Sequence, residues 1–186
     1  MEESTVPPPP DFTRYITTHN DAGQAIIHTD ATSTWTNYKN GAMRFHVPYA
    51  TSEFPVDMND ERDIAAYKKA MADGNLGLVK RGGTVCRVVD FAPNAGQPGL
   101  MHRTQSLDFG IVLEGEVDML LDSGEKRRLH RGDIAIQRGT MHEWRNPSPT
   151  QWTRMLFVLQ DSKPLTVEGK LLGEDLGAQK EIKGSS

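Results

Sequence analysis

Cysteine occurs once in the 186 residues, at Cys86. That excludes an internal disulfide framework and any cysteine-rich zinc site. No apolar run approaches the roughly 18 residues of a membrane span. Lys and Arg form no extended run, and the formal net charge is −4, so a nucleic-acid partner held through its phosphates is not expected. No segment repeats. Met1-Glu2-Glu3, followed by prolines, is unlike a secretory signal or a transit peptide. These absences predict a cytoplasmic protein with no nucleic-acid and no membrane partner.

What remains is ordinary globular material, with 37% hydrophobic and 25% charged residues. A chain of this size buries around 70% of its unfolded surface and builds a core without staples. Residues 1–11 form a Pro-rich arm, with Pro7 to Pro10 in a row, read either as a disordered tail or as an arm packed on a neighbouring subunit. Phe12 to Thr18 and Gln24 to Thr29 are short β-compatible runs around a turn-forming stretch, so a hairpin is expected. Ala31 to Tyr49 reads as irregular strand and loop. The spacing predicts one helix over 60–73, capped by Asn59 or Asp57 and stopped by Gly74, with Ile64, Tyr67 and Met71 on its packing stripe. Residues 12–83 thus read as an extension packed on a barrel.

From Thr84 the pattern turns to β. Thr84–Phe91, Ser106–Leu113, Val117–Asp122, Asp133–Gln137 and Gln151–Gln160 are strand-like, with turns at Pro93-Asn94-Ala95-Gly96, Glu114-Gly115, Asp122-Ser123-Gly124, Arg131-Gly132 and Asn146-Pro147-Ser148-Pro149. Short strands at about ten-residue spacing predict an all-β sandwich or barrel over 84–165. Of the tail, 166–186, only the first half is expected to be ordered.

Two glycine-framed motifs lie in this region. The first runs Gly96, five residues, His102, Arg103, Thr104, three residues, Asp108, six residues, Gly115. The second runs Gly132, four residues, Gln137, Arg138, Gly139, two residues, His142, three residues, Asn146. In order and spacing they resemble the two motifs of the cupin superfamily, in the type-2-like single-domain form. The resemblance implies a double-stranded β-helix, or jelly-roll barrel, and often a homodimer, here through the N-terminal extension. Members of the family typically bind a divalent metal through three His and one Glu. His102 and His142 fill two of those positions, Asp108 replaces the Glu with a shorter carboxylate, and Thr104 replaces the third His.

Two versions of the site follow. In one, a weakly held divalent metal (Fe, Mn, Zn or Ni) sits on His102, Asp108 and His142, the two-His-one-carboxylate set of an Fe(II) dioxygenase. In the other no metal is used, and the same three residues act directly as acid and base, with Asp108 orienting a His and Thr104 bonding a substrate oxygen. Alternation from Asp108 predicts an apolar pocket wall of Gly110, Val112, Val117, Met119, Leu121, Ile134, Ile136, Met155 and Phe157. Arg87 and Arg154 are candidate substrate contacts if they point inward, where each needs an anionic partner; outward surface positions are their default. Such a chamber suits an aromatic, polyketide-like or keto-acid substrate. The expected function is a lyase or isomerase of secondary metabolism working by decarboxylation, dehydration or isomerisation. The alternatives are the dioxygenase and a non-catalytic small-ligand-binding module.

Overall fold

The computed structural model describes residues 6–93, 99–177 and 181–186. Gly96, and with it most of the turn expected at 93–96, lies outside the described residues. The strands are β1 Thr13–His19, β2 Ala25–Thr32, β3 Thr36–Tyr38, β4 Met43–Ala50, β5 Thr84–Phe91, β6 Ser106–Glu114, β7 Glu116–Leu121, β8 Lys126–His130, β9 Ile134–Arg138, β10 His142–Arg145, β11 Thr153–Asp161, β12 Leu165–Val167 and β13 Lys170–Leu172. The helix α1 spans Arg62–Asp73.

A six-stranded sheet in the order β3-β4-β5-β11-β6-β9 faces a three-stranded one in the order β10-β7-β8. Their inner side chains, among them Val112, Met155 and Phe157 from the first and Val117, Leu129 and Trp144 from the second, form one core. This is the expected jelly-roll barrel. Gly115, at φ +74, makes the tight β6–β7 connection, and a Cβ there would meet Trp152 O at 2.8 Å. The expected hairpin forms as β1–β2, its turn closed by Asn20 Oδ1, which accepts from the backbone N–H groups of Ala22 and Gln24.

Register corrects the expected face of β9. Asp108 pairs with Gln137 and Gly110 with Ala135, so Gln137 and Ala135 share the inner face. Ile134 and Ile136 therefore point outward, 62% and 49% exposed, and are no pocket wall. Arg154 pairs with Asp90 on the outer face, as does Arg44. On α1, Ile64 and Tyr67 are buried but Met71 is exposed. The cap also differs. Glu61 occupies the N-cap without a side-chain bond, while Asp57 accepts from Asn59 N–H one turn earlier.

Residues 6–10 and 181–186 pack on the barrel. The arm lies on its own chain: Pro9 and Pro10 carbonyls accept from Arg154, Pro9 also from Arg44, and Val6 O accepts from Trp152 Nε1 at 2.9 Å. At the other end, Leu78 N–H donates to Lys183 O, Ser186 N–H to Val79 O and Arg81 N–H to Ser186 O. Residues 181–186 of the tail are thus built into the fold, contrary to expectation, and they carry the buried Ile182.

Candidate active site

Between the sheets lies an apolar chamber with about 590 Å³ of open space, counted out through its mouth. Its wall combines Met43, Phe45, Leu78, Val89, Phe91, Leu100, Trp144, Phe157, Leu159 and Ile182 with four polar side chains: Arg87, His102, Asp108 and His142. Few polar groups on an apolar wall is how small-molecule sites are built.

Backbone pairing sets the two imidazoles. His102 and His142 form an antiparallel bridge, each N–H donating to the other's carbonyl at 2.9 Å. Directly opposed residues share a face, and the ring centroids lie 4.4 Å apart. His102 Nδ1 lies 2.9 Å from Leu100 O, and His142 Nδ1 2.9 Å from Thr140 O. A carbonyl only accepts, so each Nδ1 carries the ring proton and each Nε2 keeps its lone pair. Burial pushes both pKa values down from 6.5; His142 falls to about 4, with the neighbouring His102 as a second cause. Both rings are neutral bases.

Asp108 behaves in the opposite way. It is 4% exposed, and burial raises its carboxyl to about 6, which the neighbouring Ser106 and Thr104 hydroxyls only partly offset. Thr104 Oγ1 donates to Oδ2 at 3.5 Å and accepts from Ser106 Oγ at 2.8 Å. Oδ1 is buried without a partner. Asp108 thus orients neither histidine, and Thr104, itself buried, supports Asp108 and is absent from the wall. Gly110, one rung on, leaves room for Phe157: a Cβ there would meet the ring at 3.0 Å.

Of the other expected contacts, Phe157 and Arg87 do line the chamber, and Arg87 is buried inside rather than on the surface. Val112 and Met119 sit in the core beside it, with Met119 Sδ accepting from Gln137 Nε2 at 3.0 Å. Arg154, also buried, is spent on Asp90. Alternation from His142 and Arg87 could have found Trp144, Val89 and Phe91. Leu78 and Ile182 come from segments without periodicity and carry no local signal.

A metal fits this donor set only in part. The imidazoles have the arrangement a metal-bound histidine uses, Nδ1–H on a carbonyl and Nε2 free. Among the described residues, however, no three His, Cys, Asp or Glu side chains converge closely enough to hold an ion. In this arrangement Asp108 and the two histidines do not form a three-ligand group.

The model of the cupin domain matches residues 87–159. The chain is 46% identical to "Phomopsin biosynthesis cluster protein D" of Diaporthe leptostromiformis, over 86% of this chain and 84% of that one. It belongs to the cupin-domain family. It is also 39% identical to "Oryzines biosynthesis cluster protein J" of Aspergillus oryzae, over 92% and 94% of the two chains. A third relative, "Cupin-domain-containing oxidoreductase virC" of Hypocrea virens, is 40% identical over 83% and 78%. These cupin relatives are proteins of biosynthesis clusters or are named oxidoreductases, so the family places the chain in metabolic chemistry.

Proposed function

We propose that this cupin is an enzyme of secondary metabolism that moves protons on a small aromatic, polyketide-like or keto-acid substrate, as an isomerase or lyase. One observation carries the reading: two imidazoles held neutral, with Nδ1 anchored and Nε2 free, share an apolar chamber with a carboxyl group whose acidity is displaced the other way. Groups with pKa values pushed apart divide the roles of acid and base. An imidazole Nε2 removes a proton from carbon next to a carbonyl, while the Asp108 carboxyl donates its proton to the developing oxyanion. The resulting enol is the common first product of an isomerisation or a dehydration. Both groups are in working form between pH about 4, where His142 protonates, and pH about 6, where Asp108 ionises. The rate profile is therefore a bell on the acid side of neutrality.

The name of the relative virC favours a second reading, oxidation or reduction in the same chamber. Incubation with aromatic and 2-oxo metabolites in heavy water separates the two by mass spectrometry. Proton transfer places deuterium on carbon without a change in oxidation level, and His102→Ala and His142→Ala each slow it by about 10²–10⁴-fold. His28→Ala, whose ring lies by Glu61 on the extension, leaves it unchanged. Product that gains or loses two hydrogens, or gains oxygen, without deuterium exchange would establish the redox reading.

A further inference from the structure

We propose that Arg87 is the anchor for an oxyanion of the substrate, a carboxylate or phenolate, so that the chamber selects small organic anions. This rests on the chamber being the substrate site. Arg87 projects inward from β5, opposite Phe157 in the register with β11. It is 6% exposed, and its guanidinium carbon lies 5.2 Å from the Phe45 ring centroid. Nη2 donates to Gly77 O at 2.8 Å, while Nε is buried and donates to nothing.

The same sheet shows how a buried arginine is otherwise treated. On its outer face Arg44 and Arg154 each reach Asp90 at 2.7 Å. Among the described residues no carboxylate forms an ion pair with Arg87. Burial lowers its pKa to about 10, which leaves it charged at neutral pH. Asp108 is the one carboxylate on the described wall, and it does not serve as the counter-ion. A guanidinium partner would pull a carboxyl down, whereas burial has pushed this one up. The histidines, held neutral, offer no negative charge.

A buried, unpaired cation is costly, and a neutral ligand would bury it further. An anionic oxygen supplies both the missing charge and an acceptor for Nε, and the planar guanidinium fork matches such groups. Phe45, Trp144 and Phe157 would then take the ligand's carbon frame.

Calorimetric titration of the full chain with matched probes tests this, and needs no turnover. The probes are benzoate against benzamide, and pentafluorophenolate against pentafluoroanisole. The anion of at least one pair should bind about tenfold tighter than its neutral partner, as a charge-assisted contact predicts. The pair with the larger ratio tells carboxylate from phenolate. Arg87→Met should bring that ratio to within about twofold. Should that variant fail to fold, Arg87→Lys, which keeps the charge but loses the fork, should lower the ratio while leaving it above one. His142→Ala should keep the preference even where it loses deuterium exchange, so failure of the anchor and failure of the proton-transfer chemistry read differently. The proposal is overturned if the wild type binds neither anion, if it binds the neutral probes as tightly, or if the Arg87 variants retain the full ratio.

Discussion

At the scale of single residues, the site keeps Asp108 where its charge is unwelcome. A carboxyl at about 6 in the fold and 3.8 in the unfolded chain binds its proton more tightly when folded. Its ionisation therefore costs stability progressively as pH rises from 3.8 to 6, and in full above that. His142 runs the other way. Its imidazole is held at about 4 against 6.5, so its contribution is complete above 6.5 and is lost as pH falls toward 4. Asp108→Asn removes the first effect and leaves the second. The variant should be more stable than the wild type at neutral pH, by up to about 3 kcal/mol for a displacement of that size. The gain should shrink as pH falls through 6 and vanish below about 4. Urea titrations read by tryptophan fluorescence check this, and a gain that grows toward acid pH would contradict it. The same substitution removes the proposed acid, so it should lose activity while gaining stability, as strained sites do.

At the scale of strands, the outer face of the large sheet is organised around one rung, Arg44–Asp90–Arg154. Asp90 is fully buried; its Oδ2 accepts from Arg44 Nε and Arg154 Nη2, and its Oδ1 accepts from Arg154 Nε. The Arg44 guanidinium also lies 4.0 Å from the Trp35 ring centroid, and the Pro-rich arm accepts from Arg44 Nη2 and Arg154 Nη1. Asp90→Ala would leave Arg44 without its carboxylate and Arg154 with only the 4.0 Å contact to the half-exposed Glu114, and removal of one partner from such a buried set costs about 3–5 kcal/mol. Chemical denaturation should show that loss, with Asp90→Asn milder because it keeps an acceptor; a loss below about 1 kcal/mol would mean that the arm and Glu114 satisfy the arginines without Asp90. This rung was not legible in the sequence, since it depends on the register of three strands. The strands themselves were legible from β-branched runs and turn residues, and β5 was read with its observed bounds. Faces were legible where a motif residue fixed the phase, as Asp108 did for Gly110 and Val112. They were misread where hydrophobicity alone fixed it, as in β9, where two isoleucines outvoted Ala135 and Gln137. The motif spacing found His102 and His142. The roof of the chamber was hidden because Leu78 and Ile182, about a hundred positions apart, meet only through loop-to-tail backbone bonds.

At the scale of the whole molecule, those misread isoleucines acquire a meaning. Ile134, Ile136 and Phe109 stand exposed together on the outer face of β6 and β9, and β9 is an edge strand with one side of its backbone unpaired. The β1–β2 hairpin, a separate two-stranded sheet, exposes Tyr15, Ile26 and Ile27. Apolar edges of this kind invite pairing, and a second copy covers both sets symmetrically when each hairpin lies on the other's β6–β9 face. We therefore propose a homodimer held by the N-terminal extension. Deleting residues 1–30 is a poor test, because the arm also seats Arg44 and Arg154 and its loss would disturb the barrel. Ile136→Glu is cleaner: its side chain is half exposed on the sheet face opposite the chamber, so the fold tolerates it. Light scattering should give a dimer for the wild type and a monomer for Ile136→Glu, with unchanged circular dichroism. Ile27→Glu, on the hairpin, should have the same effect from the other side of the interface. If the wild type elutes as a monomer, or if only one of the two substitutions dissociates it, the hairpin of one copy does not lie on the β6–β9 face of the other.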